Sequence, residues 1–266
     1  MQTSFLILLC FGCLTGVTTV LFGFGGGFIT VPVVYGVLTA TARPGADAMH
    51  VAVATSAAVM VVNAAAAAFA QWRQGRLRRA YVWPLAAYIT LGAAAGSFAA
   101  TFLAGTALRL LFAAYLLVTI ADSLLRKGFL SVAQPTPPEP LGRRTTTLGG
   151  MGIGLVAAAL GVGGSVMTVP LLRRRGLPMA EATALANPLS IPVAVAGTLV
   201  YAATPTAPTG QLGYVDFTAA AALLLGSLPT IAATRRTTGR VPDRVHSAAY
   251  VGLLLAVLTV MLGMGS

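Results

Sequence analysis

GFGGGFITVPVV at 23 to 34 and GVGGSVMTVPLL at 161 to 172 are the stretches whose reading decides the fold of this chain. Gly23 matches Gly161, Gly25 matches Gly163, Gly26 matches Gly164, and the run Thr30, Val31, Pro32 matches Thr168, Val169, Pro170. Each glycine cluster interrupts an apolar region that otherwise reads as helix, so the chain carries the same helix break twice. Glycine has no Cβ and enters the left-handed region freely, which suits a sharp reversal. A break of this kind inside a membrane leaves backbone N–H and C=O groups without partners, a state tolerated only against protein or a polar cavity.

The surroundings of both breaks are those of a membrane protein. Of 266 residues, 57% are hydrophobic and 9% charged, and the mean hydropathy is +0.85. Apolar stretches of about 18 residues or more, enough for a hydrocarbon core roughly 30 Å thick, recur at 47 to 70, 81 to 103, 107 to 125, 179 to 203, 214 to 233 and 245 to 263. They lack the alternation of a transmembrane barrel strand, so the predicted fold is all-α, a polytopic membrane helical bundle. The net charge of +11 fits topology better than nucleic acid. Fifteen of the 17 Lys and Arg lie in four groups: Arg73, Arg76, Arg78 and Arg79; Arg126, Lys127, Arg143 and Arg144; Arg173 to Arg175; and Arg235, Arg236, Arg240 and Arg244. Short basic loops beside membrane helices mark the cytoplasmic side.

With those four groups inside, helix 47 to 70 runs inward, 81 to 103 outward and 107 to 125 inward. The segment 126 to 146 is then a cytoplasmic linker, basic and rich in proline (Pro135, Pro137, Pro138, Pro140), and reads as structureless. It separates a first membrane repeat, 1 to 125, from a second, 147 to 266. A single crossing over 147 to 172 would carry Arg173 to Arg175 outside and invert every later loop. The segment is therefore expected to be a re-entrant hairpin, helix 147 to 160, break at 161 to 165, short helix 166 to 172. The first half repeats the plan, with helix 1 to 22, break at 23 to 27 and short helix 28 to 39. One hairpin plus three crossings per half makes the halves two inverted repeats, with both termini outside. Inverted repeats with broken helices are recurrent in secondary transporters, whose substrates bind near the midplane.

Each short helix starts at its break, so free amides and the positive end of a helix dipole point at the midplane, a setting for an anion with oxygen acceptors. The candidate substrate-binding residues are Gly25, Gly26, Gly27, Gly163, Gly164 and Ser165 at the breaks. Hydroxyls of Thr30, Thr55, Ser56, Thr168 and Thr183 and the amides of Asn63 and Asn187 join them. Ala54, Thr55 and Ser56 are matched, with altered spacing, to Ala182, Thr183 and Ala184. Close helix packing is the competing role for glycine, and Gly92 with Gly96 is read that way. Membrane hydroxyls also commonly bond their own helix. A nucleotide loop is excluded because no strand precedes the glycines and no Walker lysine follows.

The paired G-x-G-G-[GS]-x-x-x-V-P motifs, the Ala54-Thr55-Ser56 triplet and the basic linker resemble the sulfite exporter TauE/SafE family over nearly the whole chain. The resemblance implies transport of sulfite, an organosulfonate or a related sulfur-containing anion across the cytoplasmic (inner) membrane. Ser165 in place of a third glycine, and Ala184 where the first half has Ser56, make the two half-sites unequal.

The remaining polar residues argue against other chemistries. Asp122, Asp216, Arg109 and Glu181 fall near helix ends, so no proton relay is evident. His50 with Asp47 near the outer entrance reads as interfacial packing, with a pH-sensing pair as the lesser alternative. Cys10 and Cys13, a C-x-x-C on an apolar helix, read as small packing residues. No metal site, cofactor or catalytic cluster is expected, and the chain reads as no enzyme. The alternatives are a cation or neutral-solute carrier that uses backbone carbonyls at the breaks and, from another class, an intramembrane enzyme or scaffold. The expected partners are a small anionic substrate and membrane lipid, without nucleic acid, with a homodimer left among the open assembly states.

Overall fold

The computed structural model describes residues 2–40, 47–75, 77, 79–125, 129, 141–205, 212–235 and 241–263. Ten α-helices and a π-helical turn account for nearly all of them. These are α1 (Gln2–Phe22), α2 (Gly27–Ala40), α3 (Ala48–Arg73), α4 (Arg79–Ala100), α5 (Gly105–Leu125), the π turn Thr145–Gly149, α6 (Gly150–Ala159), α7 (Ser165–Arg174), α8 (Met179–Ala203), α9 (Phe217–Thr234) and α10 (Asp243–Gly263). Helices α1, α3, α4, α5, α8, α9 and α10 are long and apolar enough to cross a membrane. The short α2 and α7 follow the two breaks, as the glycine motifs predict.

Helix ends differ from the sequence reading where local hydrogen bonds intervene. Helix α9 starts at Phe217 because Tyr214 N donates to Tyr201 O (3.2 Å), which pins the chain against the end of α8. Asp216 then caps α9 through Oδ1, accepting from Thr218 N (2.9 Å) and Ala219 N (3.0 Å). The linker is less structureless than its composition suggests. Arg143 and Arg144 are already helical, and Phe129 is buried against Tyr250 with ring centroids 5.4 Å apart. The four prolines of the linker, and Arg76, Arg78, Arg126, Lys127, Arg236 and Arg240, lie outside the described residues.

Side-chain contacts fix the helix directions. Asp216 N, where α9 begins, donates to Thr55 Oγ1 of α3 (3.0 Å), and Ser227 Oγ, farther along α9, donates to Asn63 Oδ1, farther along α3 (2.7 Å). Helices α3 and α9 therefore run the same way. Because α9 starts beside the end of α8, α8 runs opposite to α3. Glycine contacts give the rest: Gly12 and Gly16 of α1 lie against Leu223 and Ser227 of α9, and Gly92 and Gly96 of α4 against Met151 and Leu155 of α6. Both of these pairs are parallel. The packing partners correspond between halves, α1 on α9 as α6 on α4, and α2 on α3 as α7 on α8.

These directions bring Arg73, Arg143, Arg144, Arg173, Arg174, Arg175, Arg235 and Arg244 to one end of the bundle, where α3, α7 and α9 finish and α6, α8 and α10 begin. The flanks are apolar. Trp83, Leu91 and Phe98 on α4, Leu117 and Val118 on α5, and Val260 and Leu262 on α10 are exposed, as a lipid-facing surface requires. Cys10 and Cys13 are also exposed, as free thiols on α1. They lie off the face of α1 on which Gly12 and Gly16 meet α9 backbone to backbone.

Small residues set that intimacy. A Cβ on Gly96 would lie 2.0 Å from Leu155 O, and one on Gly92 2.0 Å from Met151 O, so the GxxxG seam on α4 does have the packing role read from sequence. Gly96→Val should lose folded protein, since its clash is with backbone and overpacking of that kind costs ~3 kcal/mol or more. Gly252→Ala, which meets nothing within 4 Å, should behave as the parent protein in size-exclusion and thermal-unfolding measurements in detergent.

Candidate functional site

Four glycines turn the chain at the breaks. Gly23, Gly25 and Gly26 have φ of 73°, 61° and 91°, and Gly161 has φ of 65°. The first break thus uses three left-handed residues and the second only one. Gly164 has φ −56°, in the ordinary helical region, and Ser165 already opens α7, so the expected left-handed turn through Gly163, Gly164 and Ser165 is replaced by a turn at Gly161 alone. Gly27, the first-half counterpart of Ser165, likewise opens its helix without a positive φ, so neither third position serves the turn.

Gly27 and Gly163 are required for another reason, because the two breaks touch. A Cβ on Gly27 would lie 2.8 Å from Gly161 O, and one on Gly163 2.8 Å from Phe24 O. Ser56 of α3 joins them, its Oγ lying 2.7 Å from Gly161 O and 3.0 Å from Gly27 O. The lone hydroxyl hydrogen is shared between carbonyls from both halves, with the shorter bond to the second. Both breaks are wholly buried. Gly23 and Gly161 each reach across to the other half, to Thr183 O of α8 and Val53 O of α3, respectively. That pairing sets Val53 against Thr183, two residues away from the register implied by matching the Ala54 and Ala182 triplets.

The helix starts present amides as expected. In α2, Thr30 N is the first amide with a backbone acceptor, Gly26 O at 3.2 Å; among the described residues, those of Gly25 to Ile29 have none. In α7, Met167 N and Thr168 N both reach Gly164 O, at 3.2 and 2.9 Å, and the amides of Gly163 to Val166 have none. The repeated Val-Pro serves the same region. Proline at 170 cannot donate to Val166 O, and that freed carbonyl accepts the Tyr250 hydroxyl at 3.0 Å.

The candidate side chains divide into three groups. Thr30 and Thr183 bond their own helices, at Gly26 O (2.9 Å) and Ala180 O (3.2 Å), and Thr55 Oγ1 is committed to Asp216 N. These three stabilise local structure. Asn63 and Asn187 are half committed, Asn63 Oδ1 to Ser227 Oγ and Asn187 Nδ2 to Thr19 O (3.2 Å), while Asn63 Nδ2 and Asn187 Oδ1 are buried without a hydrogen-bond partner. Ser165 Oγ and Thr168 Oγ1 are likewise buried without one. Sequence reasoning missed Thr15, Thr19 and Ser227. Thr15 and Thr19, one helical turn apart in α1, face Gly26, and their spacing ahead of the glycine run was the available signal; Ser227 lies far away in sequence and carried none.

The second short helix is anchored at the arginine-bearing end. Arg173, read from sequence as a loop residue, is buried in the last turn of α7. Its Nη2 lies 2.8 Å from Asp243 Oδ2 of α10 and donates to Phe129 O at 2.7 Å. Asp243 Oδ1 also accepts from Met179 N at 2.7 Å. Arg174 pairs with Asp122 of α5. At the opposite end His50 is buried, stacked on Tyr214 (5.1 Å) with Nε2 3.3 Å from Ala100 O, and Asp47 stands 3.8 Å away. Those contacts are a packing environment.

The family model described as Sulfite exporter TauE/SafE matches residues 8–261. A "Probable membrane transporter protein" of Haemophilus influenzae (strain Rd) is 25% identical over 265 residues, 97% of each chain. No solved structure matches the chain.

Two substitutions test this geometry. Asp243→Asn should destabilise by ~3 kcal/mol, the usual cost of leaving one partner of a buried pair uncompensated, whereas Arg174→Ala, at a half-exposed pair, should cost ~1 kcal/mol or less. Equal losses in thermal or denaturant unfolding would deny Arg173 its special burial. Ser56→Ala should cost about 1–3 kcal/mol by leaving Gly161 O and Gly27 O without their shared donor.

Proposed function

The chain belongs to the sulfite exporter TauE/SafE family of membrane transporters, and from that premise we propose that it is a secondary transporter that exports a small sulfur-containing oxoanion such as sulfite or an organosulfonate. The observation that carries this reading is the meeting of two helix breaks, each followed by a helix whose first amides lack backbone acceptors. Helix N-termini of this kind hold anions through N–H groups and the helix dipole. Discontinuous helices at the midplane are where secondary transporters bind their substrates.

We read the two halves as an inverted repeat. The opposite directions of α3 and α8, the parallel pairs α1 with α9 and α4 with α6, and the matched packing partners support it. The arginine-bearing end belongs in the cytoplasm by the positive-inside rule, which puts both termini on the other side of the inner membrane. With the breaks buried and latched by Ser56, the conformation is an occluded one. Opening it to either side means parting Gly27 from Gly161 and Gly163 from Phe24, with each hairpin moving together with the helix of the other half on which it is packed.

Direction follows from charge. A monovalent anion leaving a cell that is negative inside gains about 2.3 kcal/mol per 100 mV, so export needs no coupling ion. Proteoliposomes loaded with sulfite or a small sulfonate should release it faster than protein-free vesicles when the interior is made negative, and external sulfur oxoanions should compete. Release at the protein-free rate for every oxoanion overturns the reading; competition by cations or neutral solutes in place of anions would favour a carrier that uses its carbonyls. Gly164→Leu should insert normally yet reduce release to the protein-free rate, because the added side chain wedges between Ile153 of α6 and Val193 of α8, one residue from the contact of Gly163 with Phe24. Normal release in that variant assigns the glycine to packing alone.

A further inference from the structure

Although the glycine motif is duplicated, the polar groups around it are not. A Cβ on Gly26 would lie 2.6 Å from Thr15 Cγ2, 2.8 Å from Asn63 Nδ2 and 3.5 Å from Thr19 Oγ1. The matching position in the second motif, Gly164, faces Ile153 Cγ2 at 3.2 Å and Val193 Cγ2 at 3.6 Å. At this position the first break meets a carboxamide and two threonine side chains where the second meets hydrocarbon; the hydroxyls that a Cβ on Gly163 would meet, Ser190 Oγ at 2.8 Å and Ser165 Oγ at 3.1 Å, belong to a serine bonded to its own helix and to α7 itself.

The groups at the first break are also unspent. Thr15 Oγ1 and Asn63 Nδ2 are fully buried and have no hydrogen-bond partner. Asn63 is held in place from behind: Ser227 Oγ is 2.7 Å from its Oδ1 and 3.4 Å from Leu224 O, so the serine hydroxyl donates to the carboxamide oxygen and turns the NH2 towards Gly26. A buried amide donor left unpaired is costly and calls for an explanation. The unpartnered hydroxyls of the second break, Ser165 and Thr168, stand on α7 itself. Rotation brings such side chains onto carbonyls of the preceding turn, as Thr30 already does at Gly26 O in α2. Thr15, within α1, has the same outlet, but Asn63 has none, since its oxygen is the end that Ser227 holds, and it is Asn63 that singles out the first break.

We propose that the first break alone is the anion-binding half-site, with the free amides at the start of α2 and the Asn63 carboxamide converging on one oxoanion per chain, Ser227 orienting Asn63, and a χ1 rotation of Thr15, whose methyl faces Gly26 here, bringing its unpartnered hydroxyl to the same anion. The inference rests on the oxoanion reading given above and narrows it. Every group named at this site is a donor and none is a cation, so it suits a compact, singly charged anion with several acceptor oxygens, held by neutral hydrogen bonds and readily released. The second break closes against this site through Gly161 and Gly163.

The test uses the full-length protein in detergent, with equilibrium titration of sulfite and, in parallel, sulfite release from proteoliposomes. One sulfite should bind per chain. Asn63→Ala and Thr15→Val should each weaken binding about tenfold or more, the range for a lost hydrogen bond to a charged group, while Thr15→Ser, which keeps the hydroxyl, stays within about twofold. Should Asn63→Ala elute aggregated, the near-isosteric Thr15→Val against Thr15→Ser decides. Two sulfites per chain, or a larger loss from Thr168→Val than from Thr15→Val, overturns the proposal. If the parent protein binds and releases sulfite and neither Asn63→Ala nor Thr15→Val differs from it, this site is wrong and the transport reading stands. A parent protein that neither binds nor releases any sulfur oxoanion removes both.

Discussion

Within a hydrocarbon slab each interrupted helix exposes peptide groups that water cannot reach, and the central architecture of this protein is one answer to that constraint. The breaks at 23 to 26 and 161 to 164 are placed back to back. Ser56 spans the junction and serves Gly27 O and Gly161 O together. Those two carbonyls are thereby cared for, and the amides at the starts of α2 and α7 remain without backbone acceptors. An unmet donor in a dry interior is a setting for an anion, so the binding proposed above draws on the atoms that the fold leaves without partners.

The rest of the bundle keeps the breaks at that depth. The seams of α1 with α9 and α4 with α6 are made by Gly12, Gly16, Gly226, Gly92, Gly96 and Gly154, where helix backbones come close enough that a methyl group would collide. In a membrane such contact replaces the hydrophobic drive that holds soluble bundles together. Each seam ties a hairpin of one half to a crossing helix of the other, so neither hairpin can move without the opposite half. At the arginine-bearing end, Arg173 with Asp243 and Arg174 with Asp122 fasten α7 to α10 and α5. The second hairpin is thus tied by ion pairs, and the first break is lined by Thr15, Thr19 and Asn63, an unequal division of tasks between similar elements.

Much of this was legible in the residues because the lipid bilayer restricts the choices. Apolar length fixed the crossing helices to within a few residues, and the arginine groups required a hairpin before Arg173 to Arg175, where α6 and α7 form one. The triplet register was misread by two residues, since Ala54-Thr55-Ser56 and Ala182-Thr183-Ala184 look alike while the glycines seat against Val53 and Thr183. Arg173 looked like its neighbours Arg174 and Arg175, and nothing local marks it as the one drawn inward by Asp243, 70 residues away.

What the sequence determined by itself was the set of helices, the two places where they break and the end at which positive charge collects, because these depend on local composition and on the thickness of a membrane. Only the tertiary structure decided that the breaks touch, that Thr55 is spent on Asp216, and that Ser227 turns the Asn63 amide towards Gly26. Those outcomes depend on how helices distant in sequence are rotated about their axes, and an apolar helix with small residues on several faces carries no period that fixes its rotation.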